Sequence, residues 1–366
     1  MRSLLSTAIL AACLLLCGPQ PSSAKTWTFA VSGDSRNCGD VVMPAIARKV
    51  AADHAAFYWH LGDFRAIYTP DQDYLQTSSP NPALSQYQAE AWPDFIQNQI
   101  APFGRLPVYL GMGNHETISP KTRAEYVQQF ADWLVTPVLR DERLRDDPAG
   151  HKIATYFHWI QGGVDFITLD NASSDQFDSA QTEWLAKVLK RAAYNKEVRS
   201  LVLGMHAALP DSLSAGHSMN DSTQGAQSGR ELYAALVSFQ NQTKKPVYVL
   251  ASHSHYFMSN IYNTACRKDT QQTVLPGWII GTAGAVRYRL PKDTAGADAA
   301  QPDVYGYLLG TVAEDGSIRF EFKPVVVHDV PRSTKDRYTP AFVGQCFTGN
   351  KSTTIIEGPA QPPNCP

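Results

Sequence analysis

Past residue 25 the chain alternates short apolar runs with amphipathic helical stretches, and this alternation limits its fold more than any other feature. The segments "TWTFAVSGD" (26–34), "AAFYWHLGD" (55–63), "LPVYLGM" (106–112), "SLVLGMH" (200–206) and "PVYVLASHSH" (246–255) read as strands closed by glycine or small residues. Between them "GDVVMPAIARKVAADH" (39–54) places Val41, Ile46, Val50 and Ala51 on one helical face, and helices are also expected at 84–100, 121–134 and 229–242. "SAQTEWLAKVLKRAAYN" (179–195) gathers Trp184, Leu185, Val188 and Leu189 on one side and turns Lys187 and Lys190 outward. Two hairpins interrupt the series, "ATYFHWIQGGVDFITLDNA" (154–172) across Gly162-Gly163 and "YGYLLGTVAEDGSIRFEFKPV" (305–325) across Asp315-Gly316. Alternating elements with inserted hairpins predict an α/β fold of two packed sheets, a β-sandwich flanked by helices. The segment 209–229 is expected to be a long polar loop without regular structure, a type that is often functional.

The strands also end alike. After a glycine or small residue come Asp34, Asp63, Asn114 with His115, His206, and His253 with His255. Open α/β sheets bind ligands at the carboxyl ends of their strands, so side chains distant in sequence can converge there. Carboxylates, an amide and imidazoles without thiolates suit hard or borderline divalent ions. In "GMGNHE" the Gly and Asn satisfy a turn by themselves, so His115 and Glu116 exceed what the turn needs.

The blocks "GDSR", "GDFR", "GNHE", "GMH" and "SHSH", in this order from about residue 27 to 256, resemble the calcineurin-like metallophosphoesterases, with purple acid phosphatases as relatives. The resemblance implies an αββα sandwich over 25–330 and two divalent or trivalent ions (Mn, Fe or Zn). It implies that Asp63 bridges them, that Asn114, His206 and His253 complete the second site, and that Asp34 and His255 hold the first. His115 would assist the leaving group, Glu116 would orient its imidazole, and a metal-activated water would attack the phosphate ester of a small-molecule substrate. One position departs: the family's usual His two residues after the first Asp is Arg36 here, and Ala66 stands where purple acid phosphatases place a tyrosine. Arg36 is therefore expected to grip substrate phosphate, with water or Tyr68 completing the first site. The rival expectation is a degenerate, non-hydrolytic binding protein on the same fold. Arg65 could face phosphate or form a structural ion pair, and His217 could reach substrate from its loop. His60, His54, His151, His158 and His328 are expected to be ordinary surface or core residues.

With 32 Lys and Arg against 34 Asp and Glu, the formal charge of -2 offers no field to hold a polyanion, which argues against nucleic acid as the main partner. "MRSLLSTAILAACLLLCGPQPSSA" (1–24) reads as a cleaved signal peptide, placing the protein in the periplasm or outside the cell without a transmembrane anchor. A lipidation box at Cys13 is the lesser reading, since Cys13 lies very early and three leucines follow. Export leaves Cys38, Cys266, Cys346 and Cys365 for two disulfides. Three pairings exist; Cys346–Cys365 and Cys38–Cys266 are the expectation, with 331–366 as a tail pinned to the surface.

Overall fold

The computed structural model describes residues 26–355 except 79–80, 150–151, 174–175, 215 and 270–272. The N-terminal segment read as a signal peptide and residues 356–366, Cys365 among them, lie outside the described residues. Among these residues the strands are β1 (Trp27–Ser32), β2 (Tyr58–His60), β3 (Val108–Leu110), β4 (Phe157–Gln161), β5 (Val164–Thr168), β6 (Ser200–Gly204), β7 (Val247–Ala251), β8 (Phe257–Ser259), β9 (Gly277–Ile280), β10 (Ala300–Gln301), β11 (Tyr305–Val312) and β12 (Ile318–Val325).

They form two sheets, ordered β12-β11-β1-β2-β3 and β10-β8-β9-β7-β6-β5-β4. At the centre of each the strands run parallel: β1 pairs with β2 and β2 with β3 in one, and β5, β6, β7 and β9 follow one another in the second. Helices Gly39–Ala52, Leu84–Phe95, Ser179–Tyr194 and Thr223–Thr243 supply the crossovers that parallel pairing requires. The hairpins expected at Gly162-Gly163 and Asp315-Gly316 are present as β4–β5 and β11–β12, in antiparallel register.

Large aromatic rings fill the space between the sheets. Trp59 of β2 packs edge-on against Trp159 of β4, and Tyr109 of β3 stacks on Trp159 with centroids 3.8 Å apart. Gly204 is what admits Trp59: a Cβ there would lie 2.2 Å from the indole. This core holds the two sheets at a fixed separation, and the carboxyl ends of their parallel strands meet along one rim.

Two expectations are corrected by the tertiary structure. Segment 209–229 is not a free polar loop: Asp211, Ser212, Ser214, Ser218 and Met219 are buried, and the following helix already begins at Thr223. Its polar groups have partners, with Arg230 and Arg267 paired to Asp211 and Ser222 capping the helix. The cysteines pair differently from the expectation, since Cys38 bonds Cys346 with Cα atoms 5.8 Å apart. Cys266 is in another disulfide. The Cys38–Cys346 link ties helix Pro340–Thr348 to the start of helix Gly39–Ala52.

Candidate metal centre

The strand ends deliver their side chains to the rim through strained turns. Asp34, Asp63 and His253 have φ of 62°, 61° and 64°, a left-handed conformation that non-glycine residues rarely take. Their alternation of sharp turn and ligand places the side chains inward instead of along the strand. Gly113 permits the closest approach: a Cβ there would meet Asp63 Oδ1 at 2.3 Å and His206 Nδ1 at 2.9 Å.

Four of the expected ligands converge around His206. Its Nε2 lies 3.0 Å from Asn114 Oδ1, 2.9 Å from His253 Nδ1 and 3.3 Å from Asp63 Oδ1. Asp34, Asp63, His206 and His253 each offer a ligand atom within 4.8 Å of the others. Asp34 is joined to His255, whose Nε2 is 3.0 Å from Asp34 Oδ1. All six expected metal ligands therefore share one site.

The imidazoles are aimed by main-chain carbonyls. His115 Nδ1 lies 2.7 Å from Ala66 O, His206 Nδ1 3.0 Å from Leu61 O, and His255 Nδ1 2.7 Å from Val286 O. An N–H donated from Nδ1 leaves each Nε2 lone pair facing the centre, the arrangement in which an outer partner fixes a ligating tautomer. His253 is held by its own backbone N–H, which donates to Asp34 Oδ2 at 2.7 Å. Glu116 does not orient His115, contrary to expectation. Its carboxylate accepts from the backbone N–H groups of Asp63, Phe64 and Gly113 at 2.8, 2.9 and 2.8 Å, stapling two strand-end turns together.

Electrostatics marks the site as one that seeks positive charge. Burial opposes the charged form of Asp34, but His255 and His206 outweigh it and hold the carboxyl below its usual range. Burial is likewise overcome at Asp63, by His115 and His206. Burial acts against a proton on His206 too, yet Asp63 and Asp34 carry its pKa up to about 10. A cation would displace that proton, as metal binding at imidazole generally does. His253 moves the other way, pushed well down by burial and by His206, which leaves it a neutral donor.

A metal ion fits these residues. Asp63 Oδ2 is buried and accepts no hydrogen bond among the described residues, an expensive condition for a carboxylate oxygen unless cationic charge offsets it; Arg36 Nε and His115 Nε2 face it from 3.8 and 3.7 Å. The separations of 2.9–3.3 Å around His206 Nε2 also match donors placed ~2.1 Å from a shared ion, which sit roughly 3.0–3.4 Å from each other.

Other expectations resolve plainly. Arg65 is fully buried among Asp40, Asp71, Asp73 and Asp94, a structural ion cluster behind the rim. His217 does reach the site's border, its ring centroid 4.7 Å from that of His253. Tyr68 is largely exposed and its ring leans on His115. His60 is buried within β2, 3.0 Å from Ser35 Oγ, and His158 is a core residue bound to Asp165.

Three supporting residues escaped the sequence reading. Asn171 Oδ1 accepts from the backbone N–H of His206 and Ala207, Ser252 Oγ donates to Asp34 Oδ2, and Tyr288 stacks on His255 at 3.9 Å. Asn171 and Ser252 follow a strand within three residues and Tyr288 lies further on, all of types too common to be singled out without the tertiary neighbours.

Comparison with known proteins agrees with this geometry. The calcineurin-like phosphoesterase family profile matches residues 32–257. Among solved structures, a purple acid phosphatase, PPD1 from yellow lupin (Lupinus luteus) seeds, superposes with a TM-score of 0.57 at 16% identity, over 84% of this chain and 52% of that one. The chain thus spans about half the length of the lupin protein. The structure of PhoD superposes with a TM-score of 0.50 at 14% identity, over 84% of this chain and 73% of PhoD. No curated protein sequence matches the chain.

Proposed function

The chain belongs to the calcineurin-like phosphoesterase family, and on that premise we propose that it is an exported, metal-dependent hydrolase of small phosphate esters. The observation that carries the reading is the convergence of Asp63 Oδ1, Asn114 Oδ1 and His253 Nδ1 on His206 Nε2. These residues would hold a divalent ion of the Mn, Fe or Zn type. Asp34 and His255, with the second oxygen of Asp63, form the other half of the expected two-ion set. When bound, such an ion lowers the pKa of a coordinated water toward ~7 and polarises a phosphoryl oxygen.

The protein's own groups supply the remainder. Arg36 lies in the site with only 8% of its surface exposed and offers planar N–H donors to the phosphoryl oxygens, where charge builds in the transition state. His115 sits on the same rim, with Nδ1 tied to Ala66 O and Nε2 turned to the centre. Burial holds its pKa down, so a bound phosphate dianion would be what favours its proton and readies it to assist the leaving alkoxide. Export rests on the N-terminal segment and is supported by the Cys38–Cys346 disulfide; no helix among the described residues is long and apolar enough to cross a membrane.

The test is hydrolysis of an aryl phosphate and an aryl phosphodiester by purified protein supplied with manganese, zinc or iron. Activity that chelation abolishes and metal restores is expected; turnover unaffected by exhaustive chelation would refute the reading. His115→Ala should slow esters of poor leaving groups far more than aryl esters, and an equal loss on both would remove His115 from its role. The second reading, a phosphate-binding protein without turnover, is favoured by Arg36 standing among the ligands; tight metal and phosphate binding with no hydrolysis of either substrate would select it.

A further inference from the structure

The first half of the two-ion set already contains a cation. Arg36 Nη2 lies 2.9 Å from His255 Nε2, the atom that would ligate the first ion, and Arg36 Nε faces Asp63 Oδ2 at 3.8 Å. Nη1 contacts His115 Nε2. Tyr288, stacked on His255, also interacts with the guanidinium. Arg36 therefore addresses the same lone pair and the same carboxylate oxygen that a first metal ion would need.

We infer that the chain binds one metal ion, at Asp63, Asn114, His206 and His253, and that the Arg36 guanidinium stands permanently in place of the other. This rests on the proposed metal-dependent hydrolase and specifies how its site is charged.

Two physical arguments carry it. One is competition for space and electrons. An ion on His255 Nε2 would sit ~2.1 Å from it, inside the volume that Nη2 takes at 2.9 Å. The other is charge. Asp34 and Asp63 are the carboxylates among the converging ligands, and a guanidinium cannot give up its proton to make room for a dication. One dication beside Arg36 leaves a modest positive excess that a phosphate can neutralise. Two dications beside Arg36 would concentrate a large uncompensated charge in a buried site, where desolvation makes such excess costly.

The arrangement retains the chemical geometry of a two-ion clamp. A guanidinium has more N–H donors than its contacts with His115 and His255 consume, so it can still donate to a phosphoryl oxygen. What it cannot do is bind a water and lower its pKa. Attack must then start from the Asn114 side, with Arg36 confined to stabilising phosphoryl charge.

Full-length mature protein, saturated with manganese and freed of excess by gel filtration, should contain one manganese per chain by elemental analysis. Its EPR spectrum should show the six-line pattern of isolated Mn(II). Arg36→His should raise the content to two per chain and produce an exchange-coupled spectrum. Two ions per chain in the unmodified protein, or a coupled spectrum at saturation, would overturn the inference, and so would no retained manganese. Should Arg36→His fail to fold, stoichiometry and EPR of the native protein still decide. One bound ion with no ester hydrolysis would leave this inference standing and refute the hydrolase reading, whereas two ions with metal-dependent turnover would do the reverse.

Discussion

Gly113→Ala is the most informative single perturbation of the rim. Gly113 has φ -107° and ψ 178°, a conformation open to alanine, so any effect is steric and not a matter of backbone strain. The added Cβ would lie 2.3 Å from Asp63 Oδ1, 2.5 Å from Asp63 N and 2.9 Å from His206 Nδ1, where contacts below 3.0 Å do not persist. Relieving the first contact alone moves the Asp63 carboxylate by 0.7 Å, the difference between 3.0 and 2.3 Å. Flexible relief is denied, because Asp63 N is clamped by Glu116 at 2.8 Å and the His206 ring is anchored on Leu61 O. Overpacking of this kind costs about 1–3 kcal/mol, and a displacement approaching 1 Å at a reacting group costs roughly 100-fold in rate. Urea unfolding of the metal-free protein should report the first loss and aryl phosphate turnover with saturating metal the second. Gly344→Ala is the control: nothing lies within 4 Å of its added Cβ, in helix Pro340–Thr348, so a gain of up to ~1 kcal/mol is expected. If Gly113→Ala keeps native stability and turnover while Gly344→Ala behaves as described, the claim that Gly113 sets the position of Asp63 is wrong.

Removing the Cys38–Cys346 bond with paired serines opens a constraint spanning 308 residues and should lower stability by about 2–5 kcal/mol in denaturant titration. Arg65→Met strands Asp40, Asp73 and Asp94, which Arg65 contacts directly; a loss of about 3–5 kcal/mol or failure to accumulate as soluble protein is expected, whereas a wild-type melting temperature would show the cluster to be dispensable. At His158 burial opposes the charged ring, but the hydrogen bond to Asp165 and the nearby Glu142 outweigh it and raise the pKa. The folded state thus holds that proton more tightly than the unfolded chain, so the associated stability is complete below pH ~6.5 and fades as pH rises through the folded value. His158→Asn should accordingly lower the urea midpoint more at pH 6 than at pH 9, and a deficit that grows with pH would reverse the assignment.

Much of the fold could be read along the chain because its determinants are local. The β-prone runs at 26–34, 55–63 and 200–206 each carry a glycine near their end; β1 and β2 stop before Gly33 and Gly62, and β6 ends at Gly204. Helix 179–195 was legible from its apolar face, and residues 179–194 adopt it. Segment 209–229 misled because its polar composition is that of a solvated loop. Its Ser and Asp side chains are instead satisfied by Arg230, Arg267, Ser254 and Tyr256 from other elements, and polarity alone cannot distinguish a hydrated group from a buried one with partners. The same limit hid Asn171 and Ser252, whose partners lie 35 and 218 positions away.

The sequence by itself determined which residues could serve a cation, because residue type fixes ligand chemistry and a strand followed by a sharp turn fixes where that ligand emerges. Tertiary structure decided which of them share a point, which cysteine meets Cys38, and that Glu116 staples backbone N–H groups and leaves His115 to Ala66. It also decided the station of Arg36: its identity was visible as an anomaly, but only the approach of His255 from 219 positions away turns that anomaly into a charge seated among the expected metal ligands. The division has one physical cause. Turn and strand preferences act over a few bonds, whereas ligand convergence, ion pairing and disulfide choice depend on distances set by the packing of two whole sheets.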